Sequence, residues 1–82
     1  MGIKEAVVQR FHEICNERKI ALNSLATLSG VTPSTVYTMC EGERKNIGIV
    51  TIKKLCDGLE ISLDEFFDAK VFKDLEQEIV WE

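Results

Sequence analysis

Between Thr32 and Thr38 the chain reads TPSTVYT, and five hydroxyl side chains, Thr32, Ser34, Thr35, Tyr37 and Thr38, crowd around its only proline. Such hydroxyls can serve as nucleophiles or as neutral hydrogen-bond donors and acceptors. Nucleophilic work needs a base within hydrogen-bond reach. His12 is the only histidine, and it lies on a helix-periodic stretch where a boundary position suits it better than a general base. No acid, base and nucleophile converge, so an enzyme is not expected and no catalytic residue is assigned. Metal chemistry finds as little support. His12 and Cys15 share one helical face, but zinc wants four ligands, and Cys15, Cys40 and Cys56 are spaced neither as a thiol knuckle nor as a disulfide framework. No metal or other cofactor is expected. What remains is hydrogen bonding from a segment that carries no acid between Pro33 and Cys40.

The surroundings of this segment set its charge. The 82 residues carry a formal net charge of −4, which argues against an anionic partner until the chain is divided. Residues 1–56 hold eight Lys or Arg against five Asp or Glu, whereas residues 57–82 hold two against nine. The amino-terminal part is thus basic and the carboxyl-terminal part acidic, an asymmetry that lets one face attract phosphate. Hydrophobic residues at 45% and a single proline describe one small globular domain rather than a linker. Neither a signal segment nor a membrane span is legible, and the odd cysteine count suits a reducing cytoplasm.

Apolar spacing places the elements that must hold the hydroxyl run. Ile3, Val7, Phe11, Ile14 and Cys15 recur at three and four residues, which predicts an amphipathic helix over 3–17. A short helix follows over 22–29, with Leu25, Ala26 and Leu28 inward, and Gly30 supplies the positive-φ residue that ends it. Thr32 and Pro33 form a start signal, a hydroxyl cap followed by a residue pre-set for the first helical position. The third helix spans 33–41, with Val36, Met39 and Cys40 inward and Gly42 at its end. After the ERKN loop, Thr51 opens or immediately precedes a fourth helix bearing Ile52, Leu55, Cys56 and Leu59, with Gly58 fraying its end. Ser62 caps a fifth helix with Glu65 as reciprocal partner and Leu63, Phe66 and Phe67 as core anchors. Residues 69–82 form an acidic extension that fits either a sixth helix to about Ile79 or a short strand.

Two helices joined by a glycine turn, the second beginning Thr-Pro, make a helix-turn-helix. A helix that enters the major groove of duplex DNA, roughly 12 Å wide, excludes repelling carboxylates and admits small hydroxyls and an aromatic. On LNSLATLSGVTPSTVYTM, GIVTIKKLCDGLEISLDEFF and the order of five helices, the chain resembles the lambda-repressor-like (Cro and phage-repressor, XRE-type) helix-turn-helix regulators over about residues 7–68. The resemblance implies a compact all-α five-helix fold over 1–68 and sequence-specific binding of a double-stranded DNA operator by a small prokaryotic or phage-type transcriptional regulator. It places base contacts on Pro33, Ser34, Tyr37 and Thr38, and phosphate contacts on Thr32, Thr35, Arg44, Lys45 and Asn46. Relatives generally pair across a two-fold axis, so a homodimer is expected, with Phe72, Ile79 and Trp81 as interface candidates and packing onto the first helix as the other outcome for the tail.

Two departures from the family pattern stand out. Ala21 and Leu22 occupy the places of a hydroxyl cap and a glutamine, which removes one phosphate anchor. Cys15 and Cys40 replace a buried arginine–glutamate pair, so the two thiols are expected as buried, reduced neighbours, with a redox switch as the sharper alternative. The competing function is a protein-interaction module, antitoxin-like or anti-repressor, that keeps the fold while its acidic surface binds a basic protein.

Overall fold

A computed structural model describes residues 1–42 and 46–80. Five α-helices follow one another: α1 (Ile3–Arg18), α2 (Leu22–Ser29), α3 (Pro33–Glu41), α4 (Ile49–Gly58) and α5 (Leu63–Phe67), and then a single 3₁₀ turn, Lys70–Phe72. No strand occurs among the described residues. The domain is therefore all-helical, as the apolar periodicity requires. Phe11 of α1, Leu25 of α2, Val36 of α3, Leu55 of α4 and Phe66 of α5 are all fully buried in one shared core. The rings of Phe11 and Phe66 lie 4.4 Å apart between centroids, a tilted contact that joins the first and last helices.

Three helices end in the same way. Lys19, Gly30 and Glu60 adopt left-handed backbone with φ of 56°, 69° and 57°. The next residue then bonds back across the final turn: Ile20 N–H to Cys15, Val31 N–H to Ala26 and Ile61 N–H to Cys56. Each of these apolar followers packs against the core, so the device both satisfies loose carbonyls and seals the helix end. Only Gly30 was legible as such a site, because Lys19 and Glu60 have a Cβ that disfavours the conformation.

Helix α1 also locks the other helix ends from outside. The Lys4 ammonium donates to the Gly42 carbonyl at the end of α3, and Arg18 donates to the Leu59 carbonyl at the end of α4. Arg10 donates from Nε to the Phe66 carbonyl at 2.7 Å and from Nη2 to the Glu65 carbonyl at 2.8 Å, at the end of α5. A cation at a helix C-terminus meets unpaired carbonyls and the negative end of the dipole together.

Several expected details are different. Helix α4 begins at Ile49, ahead of Thr51, with Gly48 at its cap position and no side-chain cap. Gly58 does not fray α4. It is the last helical residue, and a Cβ there would collide with Ser29 Oγ and sit 3.0 Å from the Ser29 backbone, so glycine permits the close crossing of α2 and α4. Ile3 and Leu28, expected to face inward, are exposed. Phe67, expected in the core, is 37% exposed and lies edge-on to Phe66 at 5.0 Å. The Ser62 hydroxyl accepts from Glu65 N–H at 3.1 Å, but the reciprocal bond from Ser62 N–H to the Glu65 carboxylate is not formed among the described residues. Through Val80 the tail is neither a sixth helix nor a strand. Its 3₁₀ turn sits against α1, and the Phe72 ring stands 4.9 Å from Phe67 and 5.8 Å from Phe66. Glu76 N–H donates to the Met1 carbonyl at 2.9 Å while its carboxylate faces the terminal ammonium at 3.4 Å.

Candidate nucleic-acid interface

The hydroxyl run lies on α3, and its outward display follows from the helix's own periodicity. Val36 and Met39 turn into the core at 1% and 7% exposure. Pro33, Ser34, Thr35, Tyr37 and Thr38 are left on the solvent side, Tyr37 with 44% of its surface exposed. Thr32 holds extended backbone at the cap and accepts from Thr35 N–H at 3.4 Å, with Pro33 in the first helical turn. Its Oγ1 also lies 3.0 Å from the Ser34 hydroxyl and 2.9 Å from the Thr35 hydroxyl. Three small side chains thus form one polar knot at the helix start.

Ser34, Thr35 and Thr38 form one wall of a shallow cleft of roughly 290 Å³, and Asn46, Gly48 and Thr51 form the other. Four of the residues singled out by sequence are brought together there: Ser34, Thr35, Thr38 and Asn46. Thr32 joins them through its hydroxyl contacts, whereas Pro33 and Tyr37 flank the cleft outside it. Arg44 and Lys45 lie outside the described residues. Thr51 is a wall residue that sequence reasoning missed as a site, because it was read only as the start signal of α4. The available signal was a hydroxyl so soon after the basic loop.

Electrostatics narrow the cations on hand. Lys4, Arg10 and Arg18 are engaged with helix carbonyls, and Lys53 pairs with Asp57 one turn along α4. Much of the basic excess of residues 1–56 is therefore structural. At the start of α2, Ala21 offers no side-chain cap bond, and Leu22 packs against the core, in keeping with a lost anchor there.

The cysteine pair sits behind α3. Cys15 is buried and Cys40 only half-buried, which corrects the expectation that both would be buried, and neither is in a disulfide among the described residues. Burial pushes both thiols up; Glu41 and Cys15 add to the rise at Cys40, and Arg18 partly opposes it at Cys15. Neither environment favours a reactive thiolate. His12 is exposed beside Val8 and Cys40 in a shallow groove. Among the described residues no three His, Cys, Asp or Glu side chains come together as metal ligands, and no helix is long and apolar enough to cross a membrane.

Comparison with known proteins places this geometry. A model of the Cro/C1-type helix-turn-helix DNA-binding domain matches residues 2–71. The crystal structure of the prophage Lp1 protein 11 is similar to this chain with a TM-score of 0.78 and 36% identity, over 92% of this chain and 100% of that one. No curated protein matches the chain.

Proposed function

Because the chain belongs to the Cro/C1-type, lambda-repressor-like family of helix-turn-helix DNA-binding domains, we propose that it is a small, non-enzymatic transcriptional regulator of the cytoplasm that binds operator DNA as a homodimer. Helix α3 enters the major groove. Ser34 and Thr38 donate or accept at base edges, and Pro33 and the Tyr37 ring meet thymine methyl groups. Thr32, Thr35, Arg44, Lys45 and Asn46 hold phosphates and fix the register. The observation that carries this reading is the outward, acid-free face of α3, with Tyr37 at 44% exposure.

Selection from random duplexes followed by binding measurements tests it. Lys45→Ala is expected to weaken binding to all sequences alike and to flatten the log–log salt dependence by about 0.9. Tyr37→Ala and Thr38→Ala are expected to cost about 1–3 kcal/mol at particular base pairs and to leave the salt slope nearly unchanged. Absence of any duplex binding at low salt would defeat the proposal.

The engagement of Lys4, Arg10 and Arg18 with helix carbonyls favours a second reading, a protein-interaction module whose acidic tail meets a basic protein. Under that reading Tyr37→Ala leaves every duplex measurement unchanged.

A further inference from the structure

We infer that the groove between α1 and the end of α3, beside Val8, His12 and Cys40, receives the apolar end of a second copy's tail, Ile79 and Val80, and that two chains exchange these ends reciprocally; the inference rests on the homodimer of the proposed function. The groove has a volume of about 280 Å³. Val8 and Cys40, both half-buried, give it an apolar lining together with the stem of Lys4. Glu5 stands at its edge but turns its carboxylate to Gly2, where a Cβ would lie 2.7 Å from Oε2.

The tail supplies the matching part. Its 3₁₀ turn lies against α1 and the Glu76 N–H bonds the Met1 carbonyl, yet Ile79 and Val80 stay 63% and 84% exposed. They stand beyond a bend closed by the Gln77 side-chain amide, which donates to the Ile79 carbonyl at 3.0 Å. Their own chain therefore leaves these two side chains largely uncovered. Charge agrees with the pairing. From Asp74 to Val80 the tail has three acids and no base, while the Lys4 ammonium and the His12 imidazole present N–H donors at the groove.

Placement makes the second copy the occupant. Lys4 and Glu5 line both this groove and the hollow bordered by Glu76 and Glu78, so tail and groove lie side by side on one face. Such a face is self-complementary: a two-fold axis between two chains sets each apolar end in the other's groove and closes the assembly, with every contact made twice. None of these residues belongs to the outward hydroxyl run of α3, so the pairing leaves that run open to DNA.

The test is sedimentation of the full chain over a range of concentrations, with a thermal melt to show that each variant is folded. Val8→Lys blocks the groove and spares the tail. Val80→Asp spoils the tail at a side chain so exposed that folding is not at stake. Each variant alone is expected to dimerise at least about tenfold more weakly than the parent, because a charge is forced into an apolar contact. Mixed together, the two variants are expected to pair again. The unaltered tail of the Val8→Lys chain meets the unaltered groove of the Val80→Asp chain, and the other contact sets the two introduced charges, opposite in sign, against each other. Variants that dimerise like the parent would place the two-fold contact elsewhere, overturning the exchange and keeping the homodimer. Loss of melting temperature with no loss of mass would put the tail in its own chain's groove, and weakened dimers that do not recover on mixing would mean that each substitution acts within its own chain; either result overturns the exchange. A parent that is monomeric at every concentration overturns the exchange and the solution homodimer together, and duplex binding by that parent then tells whether the DNA reading survives.

Discussion

Cys56 is wholly buried in the centre of α4. Burial, reinforced by the neighbouring Asp57 carboxylate, pushes its thiol from 9.0 up to about 11, against the weaker pull of Lys53 and Arg10. The folded chain thus prefers the neutral thiol more than the unfolded chain does. That preference contributes in full below pH 9 and is lost as the pH rises toward about 11, since the unfolded state sheds its proton first. Unfolding free energy measured against pH is expected to drop across that window. Cys56→Ala lowers stability throughout by opening a small void, yet it is expected to flatten the drop; an equally steep fall in the variant would assign the alkaline loss to other groups. Cys40, half-buried at the end of α3, is the thiol expected to alkylate first in the native protein.

Helix α2 is where close packing limits the sequence most sharply. The Ser29 hydroxyl is buried with no hydrogen-bond partner among the described residues, pressed against α4 at Gly58, where a Cβ would come 3.0 Å from the Ser29 backbone as well as striking its Oγ. An exposed helical Gly→Ala change usually stabilises by about 1 kcal/mol. Here Gly58→Ala is expected to destabilise by about 1–3 kcal/mol, because the added methyl must push two helices apart. Ser29→Ala removes a buried unsatisfied hydroxyl and is expected to be neutral or mildly stabilising. The double variant Ser29→Ala/Gly58→Ala recovers only part of the loss, since the clash with backbone persists. Chemical denaturation of the three variants measures this; a Gly58→Ala protein as stable as the parent would mean that the crossing is looser than the structure shows. The crossing matters for function because α2 packs on both α3 and α4, and α3 carries the outward hydroxyl run.

For the molecule as a whole, the tail divides at the 3₁₀ turn. Phe72 belongs to the aromatic cluster of its own chain with Phe66 and Phe67, as the packing-within-the-chain alternative expects, and Trp81 lies outside the described residues. Ile79 and Val80 remain 63% and 84% exposed, an arrangement that soluble chains tolerate singly but that also offers apolar surface to a second copy. Truncation after Lys73 keeps the aromatic cluster. If the tail pairs two chains, that truncation is expected to lower the solution mass from dimer to monomer in sedimentation with little change in melting temperature, whereas Phe72→Ala is expected to cost about 1–3 kcal/mol of stability and to leave the mass unaltered. An unchanged mass after truncation clears the tail of that role and moves the two-fold contact elsewhere on the domain.

Local chemistry, legible in the order of residues, determined where most helices lie and which side of α3 faces out. Thr32 and Pro33 start a helix wherever they stand, Gly30 accepts positive φ without strain, and Val36 and Met39 at a spacing of three define an inward stripe. The five-helix fold and the outward hydroxyl run follow from such short-range rules. Contacts between distant residues decided the rest. Charge counted along the chain could not show that Lys4, Arg10 and Arg18 reach helix carbonyls 38 to 56 residues away. Gly58 read as a frayed end because nothing near it reveals Ser29 on another helix. Thr51 became a wall of a cleft only when α4 was set beside α3. The tail's apolar residues fitted helix and strand alike until Phe72 found Phe66 and Phe67, since periodicity states which residues seek burial but not what buries them.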